Sequence, residues 1–283
     1  MLVPAQKILS RALKGRYAVG AFNTSNLEIT QGILEAAKKL CSPVILSTSL
    51  KAIRYAGGPD VFVAMVRELL KKYRVPVSLH LDHATDLLLV KAAITAGYTS
   101  VMIDGSHLPF RKNVALTKAV VRFAKKRNVS VEGEIGVIGG SEDYIRSKKI
   151  LLTTPQDARA FVRATGVHSL ACAVGTAHGR ARGQREYVDL HLVRAIARAV
   201  RIPLVLHGAS EGISQDEIRK AIGLGVSKVN IDTDIRLAFT EALRVTLKDK
   251  SVYDPRTVLS SAREAVMETV VEKITLFGSV RKA

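Results

Sequence analysis

Residues 76–106, PVSLHLDHATDLLLVKAAITAGYTSVMIDGS, contain one complete strand–helix–strand unit. The extended run Pro76–Ala84 is followed by Asp86, a residue type that caps helices, and by apolar residues at helical spacing over Leu87–Ala96. A short turn then leads into a second extended run, Ser100–Ser106. Two strands joined through a helix lie parallel in one sheet with a right-handed crossover, so this unit predicts an α/β fold.

The same alternation recurs along the whole chain and predicts eight strands with helices between them. The strand candidates are Ala18–Asn23, Pro43–Ser49, Pro76–Ala84, Ser100–Ser106, Val129–Gly136, Ser169–Gly175, Pro203–Ser210 and Lys228–Asp234. The helix candidates are Leu27–Leu40, Asp60–Tyr73, Leu87–Ala96, Asn113–Lys126, Pro155–Thr165, Leu190–Ala199 and Ser214–Leu224, and a final helix, Arg256–Phe277, follows them. Eight units in 283 residues fit a closed (β/α)8 TIM barrel with an additional C-terminal helix, and we expect residues 1–283 to form one barrel domain. An open dinucleotide-binding sheet is disfavoured because no Gly-x-Gly-x-x-Gly follows the first strand.

Composition limits the functional classes. The chain has 43 Lys and Arg residues against 25 Asp and Glu, and the resulting net charge of +18 raises nucleic acid as a partner. The basic residues are spread along the chain, however, and 5% aromatic residues with no Trp offer little for base stacking, so we expect no nucleic-acid partner. Two cysteines, and no apolar run of the ~18 residues that a membrane span needs, predict a protein of the reducing cytoplasm without a membrane segment.

A (β/α)8 barrel places its chemistry at the carboxyl ends of its strands. Every predicted strand delivers a polar residue to that rim, whereas chance would scatter such residues over both rims. These residues are Asn23, Ser49, Asp82 with His83, Asp104, Glu132 with Glu134, His178, His207, and Asn230 with Asp232 and Thr233. The longest stretch without periodicity, residues 137–153, follows the fifth strand and predicts a mobile loop at the same rim.

Three of the seven histidines, His83, His178 and His207, fall on the predicted rim. Three imidazoles from separate strands suit an open Zn²⁺ or other transition-metal site with a position left for substrate. The alternative for each of them is a hydrogen-bonded core histidine. His80 shares a strand face with Asp82 but sits deeper in the strand, so we expect it to support the site rather than to act in it.

Carboxylates accompany these histidines. Asp82 adjoins His83, so it can approach whatever a metal binds and act as a general acid or base. Glu132 and Glu134 share a strand face, which suits one of them to catalysis or a second cation and the other to a buried partner. The alternative for each carboxylate is a structural salt bridge.

Glycines follow the last strands of the predicted barrel. The segments at Gly179, at Gly208-Ala209-Ser210 and at Asn230–Thr233 lie where barrels often bind phosphate through backbone N–H groups. Lys228 begins the last predicted strand and is therefore expected at the opposite rim. No lysine would then be available at the active rim for a Schiff base.

Seven ordered blocks of sequence resemble the class II, metal-dependent ketose-bisphosphate aldolases, and the match spans nearly the whole chain. The blocks are Ala21-Phe-Asn-Thr24, His80-Leu-Asp-His83, Ser100-Val-Met-Ile-Asp104 with Ser106-His107, Glu132-Gly-Glu134, Gly175-Thr-Ala-His-Gly179, His207-Gly-Ala-Ser210 and Lys228-Val-Asn-Ile-Asp-Thr233. The resemblance implies a zinc-dependent lyase of glycolysis and gluconeogenesis. Such an enzyme cleaves a ketose 1,6-bisphosphate reversibly to dihydroxyacetone phosphate and glyceraldehyde 3-phosphate through a metal-stabilised enediolate. Fructose 1,6-bisphosphate is the first expectation for the substrate and tagatose 1,6-bisphosphate the second.

The resemblance also implies a role for each matching residue. His83, His178 and His207 match the ligands of the catalytic Zn²⁺, for which another divalent metal is the alternative. Asp104 and Glu134 match positions that hold a second or displaced metal. The catalytic matches are Asp82, for the acid/base group at the C4 hydroxyl, and Glu142, for the carboxylate that moves a proton on the dihydroxyacetone phosphate carbon. The substrate-binding matches are Asn23, Ser49, Gly179, Gly208, Ala209, Ser210, Asn230, Asp232, Thr233 and Arg256.

Arg256 matches an arginine that reaches the distal phosphate, often from a neighbouring subunit. The resemblance therefore implies a homodimer or homotetramer, and it also implies a monovalent cation near the phosphate site. Two alternatives stay open from the residues alone. A barrel nuclease or phosphodiesterase would suit the positive charge but usually needs several metals and a basic groove. The second alternative is a catalytically silent binding protein, although the residues for the metal and the acid/base step are intact.

Overall fold

The computed structural model describes residues 1–142, 145–147, 151–178, 187–209 and 212–283, and for residues 139–142, 145–147 and 177–178 only the backbone. The strands are β1 (Val19–Asn23), β2 (Val44–Thr48), β3 (Val77–Ala84), β4 (Ser100–Ile103), β5 (Ser130–Ile135), β6 (Gly139–Glu142), β7 (Ile145–Ser147), β8 (Ser169–Cys172), β9 (Ala177–His178), β10 (Leu204–Leu206) and β11 (Val226–Ile231). The helices are α1 (Ala5–Gly15), α2 (Leu27–Lys39), α3 (Leu50–Ala56), α4 (Pro59–Leu69), α5 (Leu87–Ala96), α6 (Phe110–Lys125), α7 (Pro155–Thr165), α8 (Leu190–Val200), α9 (Gln215–Leu224), α10 (Thr233–Thr246) and α11 (Pro255–Leu276).

Eight parallel strands close into a barrel in the order β1-β11-β10-β8-β5-β4-β3-β2. They are the eight strands that the sequence predicts, so the TIM barrel is confirmed, and α11 is the predicted additional helix. The predicted helices are present, with ends that differ by a few residues. The helix predicted over Asp60–Tyr73 is α4, with Gly58 at its N-cap and Asp60 in its first turn.

The prediction of a loop over residues 137–153 was wrong in part. It contains β6 and β7, which pair antiparallel, and β6 also pairs in parallel with β9 to form a small separate sheet. At its base the Thr153 hydroxyl donates to the Ile135 carbonyl at 2.8 Å and accepts from the Ala173 amide at 3.1 Å. Residues 143–144 and 148–150 of this stretch lie outside the described residues.

The sequence pattern does not predict three of the helices, α1, α3 and α10. The last predicted strand was extended to Asp234, whereas β11 ends at Ile231 and α10 begins at Thr233. Ile235 is the only residue that is buried in α10, so the helix lacks the broad apolar face that marks a helix packed on the barrel. The apolar side of α1 packs with Val19 and Ile45 and covers the amino-terminal end of the barrel.

The apolar core lies mainly between the strands and the outer helices. Gly133 of β5 illustrates this packing, because a Cβ there would lie 2.8 Å from the ring of Phe161 in α7. Gly32 similarly lets α2 approach α11, since a Cβ there would lie 2.8 Å from the Arg263 carbonyl oxygen. Inside the barrel the apolar cluster is small, and the carboxyl-terminal half of the interior is filled by buried polar side chains. Among the described residues, no helix is long and apolar enough to cross a bilayer.

Candidate active site

Polar side chains from five barrel strands meet at the carboxyl end of the barrel. The strands and the residues that directly follow them supply Asp82 and His83 from β3, Asp104 after β4, Glu132 and Glu134 from β5, His207 after β10, and Asn230 from β11. All of them are buried or nearly so. The shared rim that the sequence predicts is therefore present, and its side chains touch one another.

Asp82 and His83 are neighbours in the chain, yet both belong to this cluster. Successive side chains of a regular strand point to opposite faces. Here the β3–β4 register shifts between Leu81 and Ala84, and His83 adopts φ of 44°, a left-handed conformation that is strained for a residue with a side chain. The irregularity turns His83 inward beside Asp82, so local backbone strain brings the acid and the imidazole together.

Two histidine nitrogens face each other at the centre of the cluster. His83 Nε2 lies 2.8 Å from His207 Nδ1, and the rings meet edge to face. The other nitrogen of each ring donates to a carboxylate: His83 Nδ1 to Asp104 Oδ2 at 3.1 Å, and His207 Nε2 to Glu132 Oε1 at 3.1 Å. Burial lowers the pKa of His207, so its ring is neutral. The two carboxylates favour the tautomer in which each facing nitrogen carries no proton, which is the form in which imidazole binds a metal. The Asn230 amide also lies 3.4 Å from His207 Nδ1.

The carboxylates around this pair complete two potential ligand sets. Asp82, His83 and His207 form one set of nearby ligand atoms, and His83, Asp104 and Glu134 form the other. Glu134 Oε2 is buried and has no hydrogen-bond partner among the described residues. Burial and the neighbouring Asp104 carboxylate raise the pKa of Glu134. A buried carboxylate oxygen without a donor is a natural ligand position for a cation.

Asp104 has the opposite electrostatic character. Burial alone would raise its pKa, but hydrogen bonds from His83 and Ser106 outweigh that effect and hold the pKa well below its usual range. Ser106 donates twice to Asp104 Oδ1, from its hydroxyl at 2.7 Å and from its backbone amide at 3.0 Å. Asp104 is thus a fixed anion behind His83, which is how carboxylates orient metal-binding histidines.

The donor set fits a divalent transition metal. Imidazole nitrogens and carboxylate oxygens are ligands that Zn²⁺ accepts, and two nitrogen ligands of a tetrahedral Zn²⁺ lie about 3.3 Å apart. The His83–His207 pair would need to separate by only about half an ångström to bind such an ion. The backbone of His178 lies in β9, opposite Gly140 of β6, but its side chain lies outside the description. Its role as a third ligand stays a prediction.

Below the histidine pair lies a second layer of buried polar side chains, formed by Lys228, Glu132 and His80, and the prediction for Lys228 was wrong. Lys228 does not lie at the opposite rim, because it is the third residue of β11 and its side chain points into the barrel. Its Nζ donates to Glu132 Oε2 at 2.8 Å and lies 3.3 Å from His80 Nε2. The signal was present in the sequence, since Lys228 precedes Asn230 by two positions and must share its strand face. Bound in this way, the lysine is no free amine for a Schiff base.

His80 supports the site from this layer, as expected. An ammonium group can only donate, so His80 Nε2 accepts from Lys228 and His80 Nδ1 donates to the Ser100 hydroxyl at 2.8 Å. Burial and the Lys228 charge lower the pKa of His80 to about 3. Lys228 also favours the anionic form of Glu132, whose pKa stays well below its usual range although burial opposes this.

Other predicted substrate residues lie around the rim. Asn23 ends β1 with a buried amide that has no hydrogen-bond partner among the described residues. The Asn230 amide donates to Asp82 Oδ1 at 3.3 Å. Gly208, at φ of 67°, and the buried Ala209 follow β10. The Ser49 hydroxyl accepts from the Ala52 amide at 3.3 Å as the N-cap of α3.

Among the predicted residues with described side chains, Asp232, Thr233 and Arg256 lie outside the cluster. Asp232 and Thr233 stand where α10 begins, and Asp232 accepts from the Arg236 guanidinium at 2.7 Å. Arg256 is 90% exposed, and its guanidinium bonds the Asp254 carboxylate. Gly179 and Ser210 lie outside the described residues, and Glu142 is described only by its backbone in β6. Their predicted roles stay predictions.

Comparisons with known proteins identify the family of this chain. The family model described as fructose-bisphosphate aldolase class-II matches residues 3–282. A fructose-bisphosphate aldolase of Geobacillus stearothermophilus is 45% identical over 287 residues, covering 100% of this chain and 99% of the relative. One of Thermus caldophilus is 45% identical over 307 residues and covers 100% of both. Among solved structures, the YdjI aldolase of Escherichia coli K12 has a TM-score of 0.87 at 33% identity over 100% of both chains. The fructose-bisphosphate aldolase of Campylobacter jejuni has a TM-score of 0.88 at 26% identity, over 100% of this chain and 97% of that one.

The depressed pKa of His80 predicts a specific acid sensitivity of the metal-free protein. Between pH 6.5 and about 3 the unfolded chain binds a proton at this residue and the folded chain does not, so stability falls as the pH is lowered through that window. Where the unfolded state binds one proton more than the folded state, the free energy of unfolding falls by about 1.4 kcal/mol per pH unit. Urea unfolding in chelator from pH 6.5 to 4 should show a steeper loss of stability for the wild type than for His80→Gln. His80→Asn should match His80→Gln, and equal slopes in wild type and variants would contradict the assignment.

Proposed function

The chain belongs to the class-II fructose-bisphosphate aldolase family, and we propose that it cleaves fructose 1,6-bisphosphate reversibly to dihydroxyacetone phosphate and glyceraldehyde 3-phosphate. Class II aldolases depend on a divalent metal. One observation supports the proposal most directly: the His83–His207 nitrogen pair has the Asp82 carboxylate beside it in a buried site. Tagatose 1,6-bisphosphate, the epimer at C4, is the second candidate substrate.

The proposed metal is Zn²⁺. His83 and His207 would hold it, with His178 as the third ligand, and Asp104 and Glu134 would hold a second or displaced ion beside His83. A bound divalent cation supplies Lewis-acid polarisation of a carbonyl and stabilises negative charge that develops on oxygen. The protein's part is to hold both imidazoles by carboxylates in one orientation.

Asp82 is the proposed acid/base group for the C4 hydroxyl. The Asn230 amide donates to Asp82 Oδ1, which orients the carboxylate and leaves its other oxygen for substrate. Asp82 takes the hydroxyl proton as the C3–C4 bond breaks and the aldehyde leaves. Glu142, on β6 next to the strand that contains His178, is proposed to deliver a proton to C3 and so complete dihydroxyacetone phosphate.

The phosphate groups are proposed to bind at the ends of the last strands. Gly208 and Ala209 follow β10, and the start of α10 lies directly after β11, so backbone N–H groups and a helix N-terminus are available to an anion. Gly179 and Ser210 are proposed to bind the same phosphate groups. Ser214 is not free for this role, because its hydroxyl exchanges hydrogen bonds with Glu217 in a capping box. The monovalent cation near the phosphate stays a prediction.

Arg256 suggests that the working enzyme is at least a dimer. Its side chain is exposed and lies at the start of α11, away from the contacts of the histidine cluster. We propose that it reaches the distal phosphate bound by a neighbouring subunit of a homodimer or homotetramer. The comparisons favour neither the nuclease nor the catalytically silent protein, and the cytoplasmic location stays a prediction from the cysteine content.

Two substitutions distinguish the role of a metal ligand from the role of the acid/base residue. Asp82→Ala should retain bound metal but lose most C–C cleavage, since general acid–base groups contribute roughly 10²–10⁴-fold. His207→Ala should lose metal and activity together. Metal content by elemental analysis and dihydroxyacetone phosphate release from both bisphosphate epimers measure these effects. Near-normal cleavage by Asp82→Ala would remove it from the mechanism. Wild-type activity that survives complete chelation, or an intermediate trapped by borohydride, would contradict the metal-dependent reaction.

The role of Arg256 across an interface predicts complementation between inactive variants. Asp82→Ala and Arg256→Ala subunits, mixed under conditions that exchange subunits, should form hybrids in which one site combines an intact Asp82 with the partner's intact arginine. Activity of the mixture should exceed the sum of the two parents. Differently tagged subunits show whether hybrids form, and hybrids without any gain in activity would show that Arg256 does not act across the interface.

A further inference from the structure

Lys228 is a buried cation that the proposed chemistry does not use. Its side chain is 1% exposed, deep in the barrel below the histidine pair. Taking an ammonium group out of water costs several kcal/mol unless good partners compensate it. The partners here are the Glu132 carboxylate at 2.8 Å and the neutral His80 ring at 3.3 Å. The barrel therefore contains, directly beneath the site, an ion pair whose burial has a high desolvation free energy.

The two oxygens of Glu132 are divided between two tasks. Oε2 accepts from Lys228, with a longer contact from the Ser169 hydroxyl at 3.3 Å, while Oε1 accepts from His207 Nε2 at 3.1 Å. Because one oxygen is anchored by a charged group that cannot accept, the carboxylate can turn neither oxygen away from its partner without losing a charge-assisted hydrogen bond.

The hydrogen bond to Glu132 fixes the orientation of the His207 ring. With the proton on Nε2 engaged by Glu132, Nδ1 is the unprotonated nitrogen, and it lies 2.8 Å from His83 Nε2 and 3.4 Å from the Asn230 amide nitrogen. Asp104 holds His83 in the same manner from the other side. The difference is that Asp104 is held by Ser106, a neutral donor two residues away, whereas Glu132 is held by a lysine from the opposite part of the barrel.

We propose that Lys228 is a positioning residue of the metal site: it anchors Glu132, Glu132 fixes the tautomer and orientation of His207, and His207 thereby presents Nδ1 to the metal. The proposal rests on the metal binding of the proposed function. The wild-type protein tests that premise separately, because a wild type that binds no Zn²⁺ would refute the metal site itself.

The test measures metal rather than turnover. Affinity for Zn²⁺ is determined by competition with a chromogenic chelator, and the visible spectrum of the Co²⁺-substituted protein reports ligand geometry. Lys228→Met should weaken Zn²⁺ binding by about 10–100-fold, the usual effect of losing a group behind a metal ligand, and should shift the Co²⁺ bands. Lys273→Met is the matched control, because it breaks another largely buried lysine–carboxylate pair, with Asp234, outside the cluster. It should leave affinity and spectrum unchanged.

A purely structural role for Lys228 makes a different prediction. If the lysine only neutralises a buried charge for folding, Lys228→Met should lower thermal stability but leave Zn²⁺ affinity and the Co²⁺ bands as in the wild type. Glu132→Gln, which changes the acceptor of His207 directly, is the reference for the double variant with Lys228→Met. Under the positioning role the lysine acts through Glu132, so the double variant should bind Zn²⁺ as Glu132→Gln alone does, and it remains measurable if Lys228→Met alone fails to fold, since it leaves no unpaired charge. Unchanged affinity in Lys228→Met, or a double variant that binds Zn²⁺ more weakly than Glu132→Gln alone, would overturn the proposal.

Discussion

The site depends on one contact, the approach of His83 Nε2 to His207 Nδ1 at 2.8 Å. A carboxylate on the far side of each ring accepts a ring proton and favours the tautomer whose facing nitrogen carries none. Asp104 holds one ring and Glu132 the other, each at 3.1 Å. The barrel thus preorganises two potential ligands from opposite strands for a cation that would bind between them.

The surrounding charges are consistent with such a cation. Asp82, Asp104, Glu132 and Glu134 are all buried, and Lys228 supplies one compensating ammonium among them. Anions packed this closely in a low-dielectric interior are unfavourable, which is why burial and Asp104 raise the pKa of Glu134. A divalent ion would favour the anionic form of Glu134 and offset the remaining negative charge. The strained backbone at His83 belongs to the same arrangement, because it places the acid next to the ligand.

The sequence could predict the barrel because strand–helix alternation is a local signal repeated eight times. It could predict the rim because polar residues end otherwise apolar strands. It predicted that His83 and Asp82 lie at one site, but not the register shift between β3 and β4 that lets two successive residues face the same cluster. The position of Lys228 at the start of the predicted strand suggested the opposite rim. Its spacing of two residues from Asn230 places both side chains on the same face of β11, inside the barrel. α10 was missed because its exposed surface leaves only Ile235 buried, which weakens the helical pattern.

The central claim is that the two facing nitrogens bind one metal ion. Crystals grown with Zn²⁺, with diffraction recorded above and below the zinc absorption edge, test it most directly. The account predicts an anomalous peak about 2.0–2.1 Å from both His83 Nε2 and His207 Nδ1. A fully active, zinc-loaded protein whose only anomalous peak lies away from these two nitrogens would contradict it.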